Sequence, residues 1–180
     1  MSSTGSLRFR VGRTELSLEP RDEPSTPVPV VIREEDTFLV LSADPEVRES
    51  KVHPIRLMTG LMQLEARQPG EVVRSGRGPT QLLAVVHDLS LDETTRPEWI
   101  LRALDRALDE VEALGVDTFG VEVLGAVHGR ADPRICLSRL VMRLAAERPR
   151  AARVVVIGRP QALSALARVL DELSAESVEP

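Results

Sequence analysis

Asp117-Thr-Phe-Gly-Val-Glu-Val-Leu-Gly-Ala-Val-His-Gly-Arg-Ala-Asp-Pro133 decides the reading of this chain. The apolar run Thr118 to Leu124 reads as a strand, Gly125 to Arg130 as a turn, and Asp132-Pro133 as a helix start. Gly125 and Gly129 allow positive φ and close backbone approach. Successive N–H groups backed by a helix N-terminus make a natural anion site, so this turn is either a phosphate cradle or only a flexible connection.

Working outward, Pro97 opens a helix with the apolar stripe Ile100, Leu104, Leu108 and Val111, and Gly115 ends it. Arg102, Asp105, Arg106, Asp109 and Glu112 read as its solvated face. The helix from Pro133 to Ala146 turns Cys136, Leu137, Leu140, Val141 and Leu144 inward. Leu82 to Val86 and Arg153 to Ile157 are apolar runs of the kind found in strands covered on both faces. Pro160 opens a last helix, and the acidic tail from Ser174 is expected to fray.

Toward the N-terminus, Leu7 to Val11 and Thr14 to Leu18 alternate around Gly12-Arg13 as a hairpin. A proline-rich connector follows. Val28 to Ile32 is expected as an edge strand because of Pro29, and Phe38 to Leu41 as a buried one. Pro54 to Ala66 has helical spacing, and Glu71 to Arg74 is a weak strand. Strands thus alternate with helices from residue 82 onward. The fold class is α/β: a three-layer α/β/α sandwich with a mixed, largely parallel central sheet. We read residues 1–180 as one domain: 1–27 hairpin and connector, 28–173 α/β core, 174–180 acidic tail.

The 180 residues are 42% hydrophobic but only 2% aromatic, so aliphatic side chains build the core. The net charge of −5 argues against nucleic acid or an anionic membrane held by bulk charge. A lone cysteine excludes an internal disulfide, and Cys136 reads as a buried structural thiol. No signal-like segment or membrane-length apolar run is present, so the expected location is the cytoplasm. The histidines His53, His87 and His128 lack metal-ligand spacing, and no cofactor is expected. No nucleophile elbow, Walker loop or Gly-x-Gly-x-x-Gly occurs.

Ligands of open α/β sheets bind beyond the carboxyl ends of the strands. That rule selects Ser42-Ala43-Asp44, His87-Asp88, Gly125 to Arg130, and Gly158-Arg159. His87 is expected to be held by backbone hydrogen bonds, and Glu122 to lie on a partly exposed face.

Residues 36 to 173 resemble the macro domain, the ADP-ribose-binding module. The features that carry the resemblance are Leu82-Leu-Ala-Val-Val-His87, Gly70-Glu-Val-Val, and the helix–glycine–strand–glycine-loop series from Trp99 to Pro133. The resemblance implies that Gly125, Ala126, Val127, His128, Gly129 and Arg130 form the diphosphate loop, with the N–H groups of Ala126, Val127 and His128 facing the ligand. It also implies that Ser42, Ala43 and Asp44 stand where the family has Asn-Ala-Asn. Both asparagines are replaced and no glycine-rich loop follows, which removes the expected hydrolase machinery. ADP-ribose hydrolysis or O-acetyl-ADP-ribose deacetylation is therefore the least supported activity. Asp44 and Glu46 would repel a diphosphate by about 1 kcal/mol per charge in a partly dry site. Two readings remain: a module that binds ADP-ribose or a related nucleotide without hydrolysing it, or a pocket-degenerate fold used for protein interaction or self-assembly as a homo-oligomer.

Overall fold

The computed structural model describes residues 7–22, 26–41, 66–76 and 79–176. Seven strands among them form one sheet: β1 (Leu7–Val11), β2 (Thr14–Pro20), β3 (Val30–Asp36), β4 (Val72–Ser75), β5 (Thr80–His87), β6 (Thr118–Glu122) and β7 (Arg153–Gly158). Their order is β1-β2-β7-β6-β3-β5-β4. The five inner strands are mutually parallel, and β1 and β4 close the two edges antiparallel. Three α-helices are described: α1 (Pro97–Leu114), α2 (Pro133–Ala145) and α3 (Leu163–Glu176), the last preceded by a 3-10 turn over Pro160–Ala162.

The helix signals act where the sequence puts them. Pro97 sits in the first turn of α1, and Gly115 ends that helix at φ 63°. The Asp132 carboxylate caps α2 by accepting the Arg134 N–H, beside Pro133. All three helices share one core with the sheet, in which Ile100, Leu104, Leu108, Leu137, Leu140 and Leu170 meet Leu16, Ile32, Leu82, Phe119 and Val154. A smaller cluster of Val31, Val155 and Ile157 with Val28 lies apart from it. Adjacent residues of a strand face opposite sides, so this alternation is the pleat itself.

The N-terminal hairpin forms as expected and is continuous with the main sheet, because β2 pairs with β7 from Glu15–Arg153 to Pro20–Gly158. The largest departure concerns residues 28–41. The expected edge strand is instead a central one, flanked by β5 and β6, and it runs on to Asp36. Pro29 precedes the strand, so its missing N–H removes no ladder bond, and its carbonyl accepts the Thr80 N–H. Phe38 to Leu41 is not a strand but a turn gathered around a carboxylate: Asp36 accepts the N–H groups of Phe38, Val40 and Leu41. The expected helix from Pro54 falls almost wholly outside the described residues. Ser174 to Glu176, expected as frayed tail, continue α3.

Candidate functional site

At the carboxyl ends of β3, β5 and β6 a buried polar cluster replaces the aliphatic core. Glu34, Glu35 and Asp36 are all 2% exposed or less. Carboxylates survive such burial only when hydrogen bonds replace water, and each of these is bonded. Glu35 accepts the N–H groups of Asp36 and Leu41 at 2.9 and 2.8 Å.

Glu34 reaches the glycine loop. Its Oε2 accepts the N–H of Gly125 at 2.7 Å and of Val127 at 3.2 Å. Its Oε1 accepts the His128 N–H, lies 2.9 Å from His128 Nδ1, and lies 3.1 Å from His87 Nε2. Burial pushes this carboxyl up, but the hydrogen bonds from His128 and His87 outweigh it and hold it at about 2.

The imidazole partners fix a consistent proton arrangement. With the Nδ1 proton of His128 on Glu34, its Nε2 accepts from Arg21 Nη1 at 3.3 Å. His87 Nε2 carries the proton to Glu34, and its Nδ1 meets the Thr95 hydroxyl. Arg21 also pairs with Glu122 at 2.9 Å, and Glu122 accepts the Glu34 backbone N–H at 3.1 Å. Glu122 is thus buried, not partly exposed as the sequence suggests. Burial raises its carboxyl above the ordinary value, against the pull of Arg21. His87 is held by side chains rather than by backbone groups.

This arrangement corrects one expectation about the loop. The N–H groups of Val127 and His128 are taken by Glu34, and that of Ala126 by the Val123 carbonyl at 3.1 Å, so none of the three faces an outside diphosphate. The glycines answer to interior contacts. Gly125 has φ +80°, and a Cβ there would lie 2.5 Å from Ile100 Cδ1. A Cβ at Gly129 would lie 2.5 Å from the Gly125 carbonyl and 2.9 Å from the His87 ring.

On the other side of the same loop a cavity of about 190 Å³ opens between Val123–Ala131 and Gly158–Arg159. Ala126, Val127 and Leu166 supply apolar wall, and Arg130 and Arg159 line it. Among the described residues neither guanidinium group has an ion-pair or hydrogen-bond partner, although the Arg159 carbonyl accepts the Ala162 N–H. Both stand at strand ends selected by the rim rule. Ser42, Ala43 and Asp44 lie outside the described residues.

Glu34, Arg21 and Thr95 are the members of the cluster that sequence reasoning misses. The one local sign is the carboxylate triplet Glu34-Glu-Asp36 that follows Val30-Val-Ile-Arg33, and it names none of the distant donors. Cys136 is fully buried as expected, and its thiol is pushed up to about 12 by burial.

No family model matches the sequence, and no curated protein matches it. Solved structures do. The Oceanobacillus iheyensis macrodomain with ADP superimposes with a TM-score of 0.71 at 12% identity, covering 98% of this chain and 100% of that one. The Trypanosoma brucei macrodomain in complex with ADP gives 0.61 at 13% identity, covering 86% of this chain and 68% of that one. The macrodomain of Thermus aquaticus DarG gives 0.52 at 17% identity, covering 79% and 98%. At such identities the likeness is one of fold alone: the chain has a macrodomain-like fold, a three-layer α/β/α sandwich on a mixed sheet.

Proposed function

We propose that this chain is a binding module for ADP-ribose or a related adenine nucleotide and does not hydrolyse it. The observation that carries the reading is the cleft beside the glycine loop, where the Arg130 and Arg159 guanidinium groups have no partner among the described residues and stand beside an apolar wall. Free guanidinium groups over apolar surface suit a phosphorylated ligand with a flat or sugar moiety. At about 190 Å³ the cleft is smaller than the roughly 300 Å³ lower bound of ordinary ligand pockets, so it takes one end of such a ligand. The fold likeness, which includes neighbours solved with ADP, adds support. Absence of turnover is supported by the condition of His87 and His128, both bonded to Glu34.

Titration calorimetry with ADP-ribose, ADP and AMP tests this. Binding is expected in the micromolar to millimolar range, and Arg159→Ala is expected to weaken it by about tenfold, one lost charge-assisted contact. No heat at millimolar ligand would sink the proposal. A second reading, a fold kept for protein interaction or self-assembly, is favoured by one specific observation: the loop N–H groups are already occupied by Glu34. Light scattering tests it, since a self-assembling chain gains mass with concentration.

A further inference from the structure

Five donors converge on a single carboxylate in this protein. Three are backbone N–H groups of one loop, at Gly125, Val127 and His128, and two are ring nitrogens of His87 and His128. A carboxylate offers about four lone-pair positions, so this set saturates it. The geometry is that of an oxyanion site: N–H groups at a strand end and turn, with imidazoles beside them. Its occupant is a residue of the chain itself, delivered from β3 across more than ninety positions of sequence and 0% exposed.

We infer that Glu34 is the resident ligand of this cradle and its specificity determinant: it makes the inner face of the glycine loop reject phosphate, and removing it converts the cradle into a site for a small free oxyanion such as formate or inorganic phosphate. Three observations support this beyond the contacts themselves. The donors are spent, so an incoming anion gains none unless Glu34 leaves. The Glu34 backbone is fixed by its N–H bond to Glu122 and by pairing with Ala84 of β5, and turning the carboxylate away would leave five donors at a buried site without their acceptor. Glu122, at the neighbouring end of β6, adds a second buried carboxyl group, and among the described residues Arg21 is the one charged group hydrogen-bonded to it. A further anion there meets like charge. The phosphate of any ligand in the neighbouring cleft is therefore left to Arg130 and Arg159. Specificity of this kind works by rejection.

Chemical rescue in the full chain tests the inference. Wild type and Glu34→Ala are melted in sodium formate, in inorganic phosphate, and in sodium chloride of matched ionic strength. Glu34→Ala is expected to melt lower than wild type and to regain about 2–5 °C with formate or phosphate, saturably, while chloride does nothing and wild type does not respond. Amide resonances of Gly125, Val127 and His128 are expected to move with formate in Glu34→Ala and to stay fixed in wild type. Two results would overturn the inference: a folded Glu34→Ala indifferent to both anions, or a saturable phosphate shift of those three amides in wild type. If Glu34→Ala does not fold, the wild-type amide titration decides alone, with fixed resonances in support and a saturable shift against. These probes contain no nucleotide, so a failure of ADP-ribose to bind leaves the inference standing.

Discussion

The two ends of the sheet carry charge in opposite ways. At the amino ends of β2 and β7, Arg13 pairs with Glu147 at 3.4 Å and Arg153 with Glu15 at 3.7 Å, with the arginine side chains 88% and 49% exposed. At the carboxyl ends, Glu34 and Glu122 are 0% and 1% exposed and bonded to backbone N–H groups, imidazoles and Arg21. Nominally similar ion pairs therefore have different work to do. Exposed pairs are screened by water and ordered at an entropic cost, and contribute little. The buried cluster replaces hydration with a fixed set of donors, so each member becomes a requirement of the others.

The contrast can be broken most severely at Gly129. A methyl group there meets the Gly125 carbonyl and the His87 ring, so Gly129→Ala is expected to cost on the order of 3 kcal/mol in urea unfolding. A cost near zero would mean that the loop is not held against His87.

Next in size is the acid response of Glu34. Its carboxyl lies at about 2 in the folded chain against an ordinary 4.5. A depressed acid stabilises above its unfolded value, and that stability is lost as pH falls from 4.5 toward 2. The loss is on the order of 3 kcal/mol. Unfolding free energies of wild type and Glu34→Gln across that window should converge as pH drops, and parallel curves would contradict the assignment.

Smaller effects sharpen the exposed side of the comparison. Asp105 on α1 accepts Arg139 and Arg143 of α2, and Arg139 pulls the carboxyl below its ordinary value against partial burial. Asp105→Ala is expected to lose about 1 kcal/mol, a bidentate pair that is only partly screened. Arg150→Ala, whose pairing with Glu147 spans 3.7 Å at an 86% exposed side chain, should leave the melting temperature unchanged. An equal effect of the two substitutions would erase the distinction drawn above.

Much of the fold was legible because period and punctuation agreed. Pro97, Gly115, Asp132 and Pro133 mark helix ends by local chemistry, and Leu82 to Val86 and Arg153 to Ile157 are too apolar to be anything but buried strand. β3 was illegible because half of it is charged. Val30-Val-Ile-Arg-Glu-Glu-Asp36 reads as strand running into loop, since buried carboxylates are rare and their donors lie far away in sequence. The apolar stretch after it, Phe38 to Leu41, then attracts the strand assignment that belongs upstream. The same blindness affects the site: the glycine loop was visible, but nothing local reveals that Glu34 fills it. Arg21, which closes the ring of contacts through Glu122 and His128, is separated from them by 101 and 107 positions.

The tie between Glu34 and the loop also has a kinetic side. Its bonds to Gly125, Val127 and His128 join parts of the chain 91 to 94 positions apart, whereas α1 and its glycine stop close locally. Contacts of such separation carry a large closure entropy and are made only once β3 and β6 lie side by side. The cradle is thus a late seal on an assembled sheet. Weakening it should hasten unfolding while leaving the folding rate nearly as it was, so that Glu34 governs how long the native chain persists more than how quickly it forms.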